Sequence, residues 1–162
     1  MQHTIASAFQ STLFTHLYPH STISIHLHIL SQDGSLLAAC LNAATLALID
    51  AGVPMSDYVS ACTVASAPSS DQSLDETDPL LDLNGMEELE LPFLTVGTTT
   101  SAKDGKGDGE ARVAVLIMET KVQMGKLEAM ISVGLDGCKQ IRGIFDRVVR
   151  EHGKRVLEGK VS

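Results

Sequence analysis

Residues 31–55 read SQDGSLLAACLNAATLALIDAGVPM, and this stretch decides the fold. It opens with an Asp-Gly turn dipeptide at positions 33–34. Leucine and alanine dominate residues 36–51, which hold a single charged residue near their end. Because apolar side chains occupy most faces of such a helix, we predict a buried core helix over residues 36–51, ended by the Gly-Val-Pro at 52–54. The run is too short to cross the roughly 30 Å core of a bilayer.

A strand is predicted immediately before this helix. Residues 22–30 alternate strictly between apolar and polar side chains, as a half-buried strand does. The apolar positions are Ile23, Ile25, Leu27 and Ile29, and the polar ones are Ser24, His26 and His28. A metal site usually needs three or four ligands, and these two histidines have no acidic or cysteine partner nearby in sequence. We therefore expect a polar sheet face or a subunit contact there, and no metal site.

The remaining elements follow from periodicity and turn residues. Ile5, Phe9, Leu13 and Leu17 fall every four residues and predict an amphipathic helix over residues 3–18. Strands are predicted at 58–65, 79–83, 91–100 and 113–119, and a last helix at 124–152. Residues 67–78 form an expected exposed loop, and residues 101–111 an expected flexible hairpin loop. This order predicts an α+β domain of two layers, with a mixed or antiparallel sheet.

Three glycines interrupt the apolar stripe of the predicted last helix, namely Gly134, Gly137 and Gly143. Each lowers the helix propensity by roughly 1 kcal/mol relative to alanine. Packing must offset that cost, so we expect these glycines to let the helix approach the sheet closely.

Composition fits one globular domain over residues 1–162, with 44% hydrophobic residues and no tryptophan. Cys40, Cys62 and Cys138 are far apart and lack the spacing of a zinc site. We expect buried, reduced thiols. We find no pattern of a signal peptide or a membrane span, so no membrane partner is expected.

Charge is distributed unevenly along the chain. Residues 1–102 contain eleven Asp or Glu and no Lys or Arg, whereas residues 103–162 contain twelve basic and nine acidic residues. Binding to a phosphate backbone needs clustered basic side chains, so the first part of the chain is not an RNA-binding face by itself. The basic end of the last helix, with Arg142, Arg147, Arg150, Lys154 and Arg155, either complements the helix dipole or meets an acidic partner.

The strand, the Asp-Gly turn and the helix ending in LNAATLALIDAGVPM (residues 41–55) resemble the latter part of the RNase PH fold. Within that family they are most similar to exosome ring subunits of the ribosomal RNA-processing protein 41 type. The resemblance runs from about Gln2 to Arg155. It implies an RNase PH-like (ribosomal protein S5 domain 2-like) fold, truncated so that the family's N-terminal strands would lie upstream of Met1.

The resemblance also implies which chemistry to look for. Active members cleave RNA from its 3′ end with inorganic phosphate, using a Ser/Thr-Arg pair after the Asp-Gly turn and two carboxylates that hold magnesium. The pair corresponds to Leu36 and Leu37 here, and the carboxylates correspond to Asn84 and Glu90, with Glu88 matching an intervening glutamate. Two leucines and a neutral amide do not supply this chemistry. We therefore assign no catalytic, phosphate-binding or metal residue.

Two details of this acidic stretch stay open. The alignment could shift to Asp82, which restores a carboxylate at the wrong spacing. Glu87, Glu88 and Glu90 could bind a cation weakly, although an exposed acidic turn is the simpler interpretation.

The resemblance implies a non-catalytic structural subunit of the RNA exosome ring, in 3′-to-5′ RNA processing and decay, located in nucleus, nucleolus and cytoplasm. Its expected partners are other RNase PH-like ring subunits and cap subunits, with RNA bound through the assembled complex and no cofactor. One alternative is a phosphate-dependent 3′-to-5′ exoribonuclease, which would use magnesium. The other is a truncated product with no independent function.

Overall fold

The computed structural model describes residues 1–67, 79–101, 110–118 and 120–159. Four strands form one antiparallel sheet, and the α+β class is confirmed. The elements in chain order are α1 (Gln2–Gln10), a 3₁₀ turn (Thr15–Leu17), α2 (Leu36–Asp50), β1 (Ser60–Ser66), β2 (Pro79–Leu81), α3 (Gly85–Glu90), β3 (Phe93–Ser101), β4 (Glu110–Met118) and α4 (Met124–Leu157). The sheet order is β2-β1-β3-β4.

Helices cover both faces of this sheet, so the described residues form three layers where the sequence predicted two. On one face, α1 and α2 pack against Val59, Ala61 and Val115. On the other face, α4 packs against Cys62, Val64, Leu94 and Val96. Strand β1 is buried along its whole length, which explains its run of small and β-branched side chains.

Polar side chains of α2 attach this helix to β1. The Asn42 side chain donates to the Ala61 carbonyl at 2.8 Å and accepts from the Ala61 N–H at 2.9 Å. The Thr45 hydroxyl donates to the Val59 carbonyl at 2.7 Å. Both residues therefore satisfy backbone groups at the start of the central strand, where an apolar side chain would leave them unpaired.

The prediction of a core helix over 36–51 is confirmed in position, but its burial on every face is not. Leu41, Ala44 and Leu48 are buried, as the spacing predicts. A stripe of small residues, Ala39, Ala43 and Ala47, is exposed instead. Alanine exposes little apolar area, so this face needs no cover for the helix to be stable.

The first helix is shorter than predicted and ends at Gln10, not at residue 18. The hydroxyls of Ser11 and Thr12 bond back to carbonyls in the last turn of α1, and the chain then leaves the helix. Ile5 and Phe9 are buried as expected, whereas Leu17 is 54% exposed. A spacing of four residues predicted the packing face correctly but did not predict where the helix stops.

Residues 22–30 form neither a helix nor a strand, and within the described part of the chain they pair with no strand. Ile23 and Ile25 pack against the core, whereas Ile29 is 54% exposed and Leu30 is 99% exposed. The prediction of a strand over residues 22–30 is therefore wrong, because a strand needs a pairing partner that no other described segment supplies.

Close approach of α4 to the sheet is confirmed at two of the three glycines. A Cβ on Gly134 would lie 3.0 Å from a Val96 methyl, and one on Gly137 would lie 3.1 Å from the Cys62 sulfur. A Cβ on Gly143 would meet nothing within 4 Å, so the prediction is wrong there. Gly143 lies beyond the stretch of α4 whose buried glycines face the sheet.

Helix α3 was not predicted, since residues 84–90 read as an exposed acidic turn. The predicted loops fall largely on residues 68–78 and 102–109, which lie outside the described residues. The pairing of β3 with β4, from Leu94↔Met118 to Ser101↔Glu110, confirms that a hairpin connects these two strands. None of the helices in the described ranges is both long and apolar enough to cross a membrane.

Candidate functional site

The structure brings together the two stretches that the sequence singled out for family chemistry. The Asp-Gly turn before α2 packs against the segment that leads into α3. The Gly85 N–H donates to the Asp33 carboxylate at 3.1 Å, and the Ser35 hydroxyl donates to the Leu83 carbonyl at 3.1 Å. The start of α2 and residues 83–88 therefore form one site, which we call the turn–α3 site.

Gly34 makes this contact possible. Its φ is +85°, and a Cβ placed on it would lie 2.3 Å from the Leu83 carbonyl oxygen. No side chain fits that space, so the Asp-Gly dipeptide is required for packing as well as for the turn. Ser35 follows with a φ of 48°, a left-handed conformation that is unusual for a residue other than glycine.

Asn84 begins α3 as its N-cap. Its side-chain oxygen accepts from the N–H groups of Met86 and Glu87, both at 3.0 Å, and the Glu87 carboxylate accepts from the Asn84 N–H at 2.9 Å. This reciprocal arrangement is a capping box. The Asn-x-x-Glu spacing at 84–87 is a sequence signal that could have predicted the helix. The side-chain oxygen of Asn84 is thus occupied by the hydrogen bonds that begin α3.

The side chain of Glu88, a residue of α3, reaches the N-terminal end of α2. Its carboxylate accepts from the Ser35 N–H at 2.6 Å. Free backbone N–H groups and the helix dipole make such an end attractive to anions, and here the protein supplies the anion itself. A phosphate at the same place would meet a carboxylate, with no Lys or Arg available from residues 1–102.

Leu36 and Leu37 do not extend into an open phosphate site. Both side chains are partly buried and pack against the core cluster formed by α1, α2 and the sheet. An apolar side chain offers no hydrogen bond to phosphate, and its burial stabilises the fold instead. This geometry supports the interpretation of a degenerate phosphate position.

The carboxylates of the site do not gather into a metal centre. Glu87 and Glu88 each accept a backbone N–H bond, and Glu90 lies at the exposed end of α3. Across the described residues, no group of three or more His, Cys, Asp or Glu side chains is placed to hold a metal ion, and this includes His26 and His28. The arrangement can cap helices and fix a turn, and it offers little for phosphoryl chemistry.

The basic end of α4 is only partly free for a partner. Arg142 makes a bidentate ion pair with Asp57, with nitrogen–oxygen distances of 2.7 and 2.6 Å, and lies over the Tyr58 ring. The adjacent Asp57 carboxylate raises the pKa of Arg142 above its usual value. Neither sequence interpretation included this role, because an ion pair across 85 positions leaves no local signal.

Similarity to known proteins extends over nearly the whole chain. The family model for the 3′ exoribonuclease family (RNase PH), domain 1, matches residues 1–54. The exosome complex component ski6 of Schizosaccharomyces pombe is 36% identical over 153 residues, which is 94% of this chain and 57% of that protein. The exosome complex component RRP41 of Homo sapiens is 31% identical over 149 residues, or 91% of this chain and 54% of that protein. The chain thus spans little more than half the length of these relatives.

A solved structure shows the same fold. Rrp46 of rice (Oryza sativa) superposes with a TM-score of 0.74 at 24% sequence identity, covering 91% of this chain and 63% of that one. The antiparallel sheet with its packed helices therefore has the fold of that protein, and together with the family-model match this confirms the RNase PH-like fold class that the sequence predicted.

Proposed function

We propose that this RNase PH-like chain is a structural subunit of the RNA exosome ring that supports 3′-to-5′ RNA processing and degradation without catalysing phosphorolysis. One observation carries the proposal: the relatives that match over 91–94% of the chain are named as exosome complex components. By this proposal its partners are other RNase PH-like ring subunits and cap subunits. RNA would reach it through the assembled complex, and it would act in nucleus, nucleolus and cytoplasm.

The geometry of the turn–α3 site supports the non-catalytic part of this proposal. Phosphorolysis needs an anion site and a metal-bound pair of carboxylates. Here the Glu88 carboxylate lies at the N-terminal end of α2, and Asn84 caps α3. The side chains of Leu36 and Leu37 pack against the core. Residues 1–102, which form this site, contain no Lys or Arg to supply the positive charge that a phosphate nucleophile requires.

The competing function is a phosphate-dependent exoribonuclease that uses magnesium. The family model that matches residues 1–54 is described as a 3′ exoribonuclease family, and Glu90 keeps one of the two acidic positions. Asn84 argues against it, because a neutral amide engaged in two backbone hydrogen bonds is a poor metal ligand.

An activity assay separates the two functions. Purified chain, incubated with 5′-labelled single-stranded RNA, magnesium and phosphate, should leave the RNA intact and release no nucleoside diphosphates. The control is Glu90→Ala, which should behave identically. Phosphate-dependent shortening of the RNA that Glu90→Ala abolishes would overturn the non-catalytic proposal.

Affinity purification tests the structural role. Tagged chain expressed in cells should recover other ring and cap subunits, identified by mass spectrometry, at near-equal amounts. Recovery of the chain alone from cells that contain an intact exosome would contradict membership of the ring and favour a product without independent function.

A further inference from the structure

Two buried thiols meet between the sheet and the last helix. Cys62 lies on β1 and Cys138 on α4, and their sulfur atoms are 3.6 Å apart. Both residues are buried, and 76 positions of sequence separate them. The contact exists because Gly137 brings α4 within van der Waals reach of the Cys62 sulfur. A disulfide needs about 2.05 Å between sulfur atoms, so the pair must close by roughly 1.5 Å.

The surroundings make the two sulfurs unequal. The Cys62 thiol donates to Cys138 or to the Gly134 carbonyl, which lies 3.1 Å away. That hydrogen bond, with a further one from Thr98, lowers the pKa of Cys138. The hydrogen bond with Cys138 raises the pKa of Cys62, and burial raises it further. Cys138 therefore carries the greater thiolate character, and the thiolate is the nucleophilic form of cysteine.

A partly exposed side chain, Leu81, packs beside the pair. A Cβ on Gly137 would lie 3.1 Å from the Cys62 sulfur and 3.2 Å from a Leu81 methyl, so both groups pack on the same spot of α4. Leu81 is 40% exposed and ends β2, an edge strand that pairs with β1 at three positions only. Edge strands this short open locally at low cost, which gives a small oxidant a route to the sulfurs.

We propose that Cys62 and Cys138 form a redox-modification site, at which a peroxide converts the thiol pair into an intramolecular disulfide linking β1 to α4. The Cys138 thiolate attacks a peroxide oxygen and the O–O bond breaks. Hydroxide departs, and Cys138 becomes a sulfenic acid. The Cys62 sulfur then displaces that oxygen, and the S–O bond breaks. The hydroxide and the displaced oxygen take up the two thiol protons, so two thiols lose two electrons and one hydrogen peroxide becomes two waters.

The two thiols lie on β1 and α4, neither of which contributes a residue to the turn–α3 site. A covalent link between β1 and α4 would fix the helix against the central strand of the sheet. Disulfides in reducing compartments are usually transient and redox-sensing rather than structural. The linkage is therefore a response to oxidant, reversed by a dithiol reductant.

Peptide mapping after oxidation tests the proposal. Reduced, folded chain is treated with hydrogen peroxide, quenched with a thiol-blocking reagent and digested without reductant. We expect a peptide pair joined through Cys62 and Cys138, in wild type and equally in Cys40→Ser, which removes the third buried thiol. Cys62→Ser and Cys138→Ser should give no intramolecular link. Leu81→Ala, which removes the side chain packed beside Gly137 and leaves the thiols intact, should speed the linkage by about threefold or more.

Three results would overturn the proposal. The first is oxidised wild-type protein in which both thiols remain free for the blocking reagent. The second is a link that appears only after unfolding in urea, since the folded geometry would then not be its cause. The third is a link through Cys40 in place of Cys62 or Cys138. Because the wild-type map decides the matter alone, a variant that fails to fold does not affect the conclusion.

Discussion

Asn84 shows why residue types alone predicted the candidate site incompletely. The resemblance to the family places this neutral amide at a position that is acidic in active members. The resulting loss of phosphorolysis remains a prediction. The structure adds that the same amide caps α3, a role encoded by the Asn-x-x-Glu spacing. Arg142 is the opposite case. Its bond to Asp57 depends on contact between distant elements, so no pattern along the chain could predict it.

At Asn84 we predict that the cap, rather than any charge, is what the protein needs. Asn84→Ala removes both acceptor bonds and should cost about 1 kcal/mol locally, because alanine cannot cap a helix. The amides of Met86 and Glu87 should then exchange with deuterium roughly fivefold faster.

Asn84→Asp is the matched control, because aspartate caps as well as asparagine does. Its amide exchange should stay near the wild-type rate, and it should gain no phosphorolytic activity, since Leu36 and Leu37 are unchanged. Equal exchange in Asn84→Ala and wild type would show that the cap is dispensable.

Individual elements were predictable where one pattern dominates. Strand β1, strand β3 and helix α4 appear close to their predicted positions. The failures occur at ends and edges. Side-chain bonds of Ser11 and Thr12 end α1 early, and residues 22–30 have the alternation of a strand without a partner. Periodicity reports which face is buried; where an element stops, and what it pairs with, depends on tertiary contacts.

The glycines of α4 give a prediction at this scale. Gly134→Ala should destabilise the protein by about 1–3 kcal/mol, because the new methyl presses on Val96 and Val64, two fully buried β-branched side chains. Gly143→Ala, with open space around it, should stabilise the same helix by up to about 1 kcal/mol.

The opposite effects of the two substitutions can be checked by measuring thermal midpoints in the same buffer and at the same protein concentration. The midpoint should fall for Gly134→Ala and rise or stay constant for Gly143→Ala. If both substitutions raised it, the contact of α4 with the sheet would be looser than the distances indicate.

On the scale of the whole molecule, charge predicts weak binding to RNA. The basic residues of α4 are interleaved with acidic ones, so that Arg147, Arg150 and Lys154 lie beside Asp146 and Glu151. Single-stranded RNA should therefore bind the isolated chain weakly, with a slope of log affinity against log salt no steeper than about −1.4, which corresponds to roughly two neutralised phosphates. Fluorescence anisotropy over a salt series measures this slope. Tight binding with a steep slope would show that the basic end of α4 is a continuous RNA surface.

The unpaired residues 22–30 lead to a prediction about assembly. This segment pairs with no described strand and ends in Ile29 and Leu30, which are 54% and 99% exposed. Unpaired segments with exposed apolar side chains associate with other chains. A ring neighbour could cover this surface. The chain expressed alone should instead form concentration-dependent oligomers and unfold over a broad temperature range.

Light scattering coupled to size-exclusion chromatography, together with a thermal melt, tests this behaviour. Ile29→Lys places a charge on this segment and should shift the population toward monomer, because a lysine there opposes pairing with another chain. Leu89→Lys is the matched control, since Leu89 is 83% exposed on α3 and lies away from the segment in sequence. It should leave the oligomers unchanged. A wild-type monomer with one sharp, cooperative transition would contradict the prediction, and it would mean that the packing of Ile23 and Ile25 on the core is enough to keep residues 22–30 from associating.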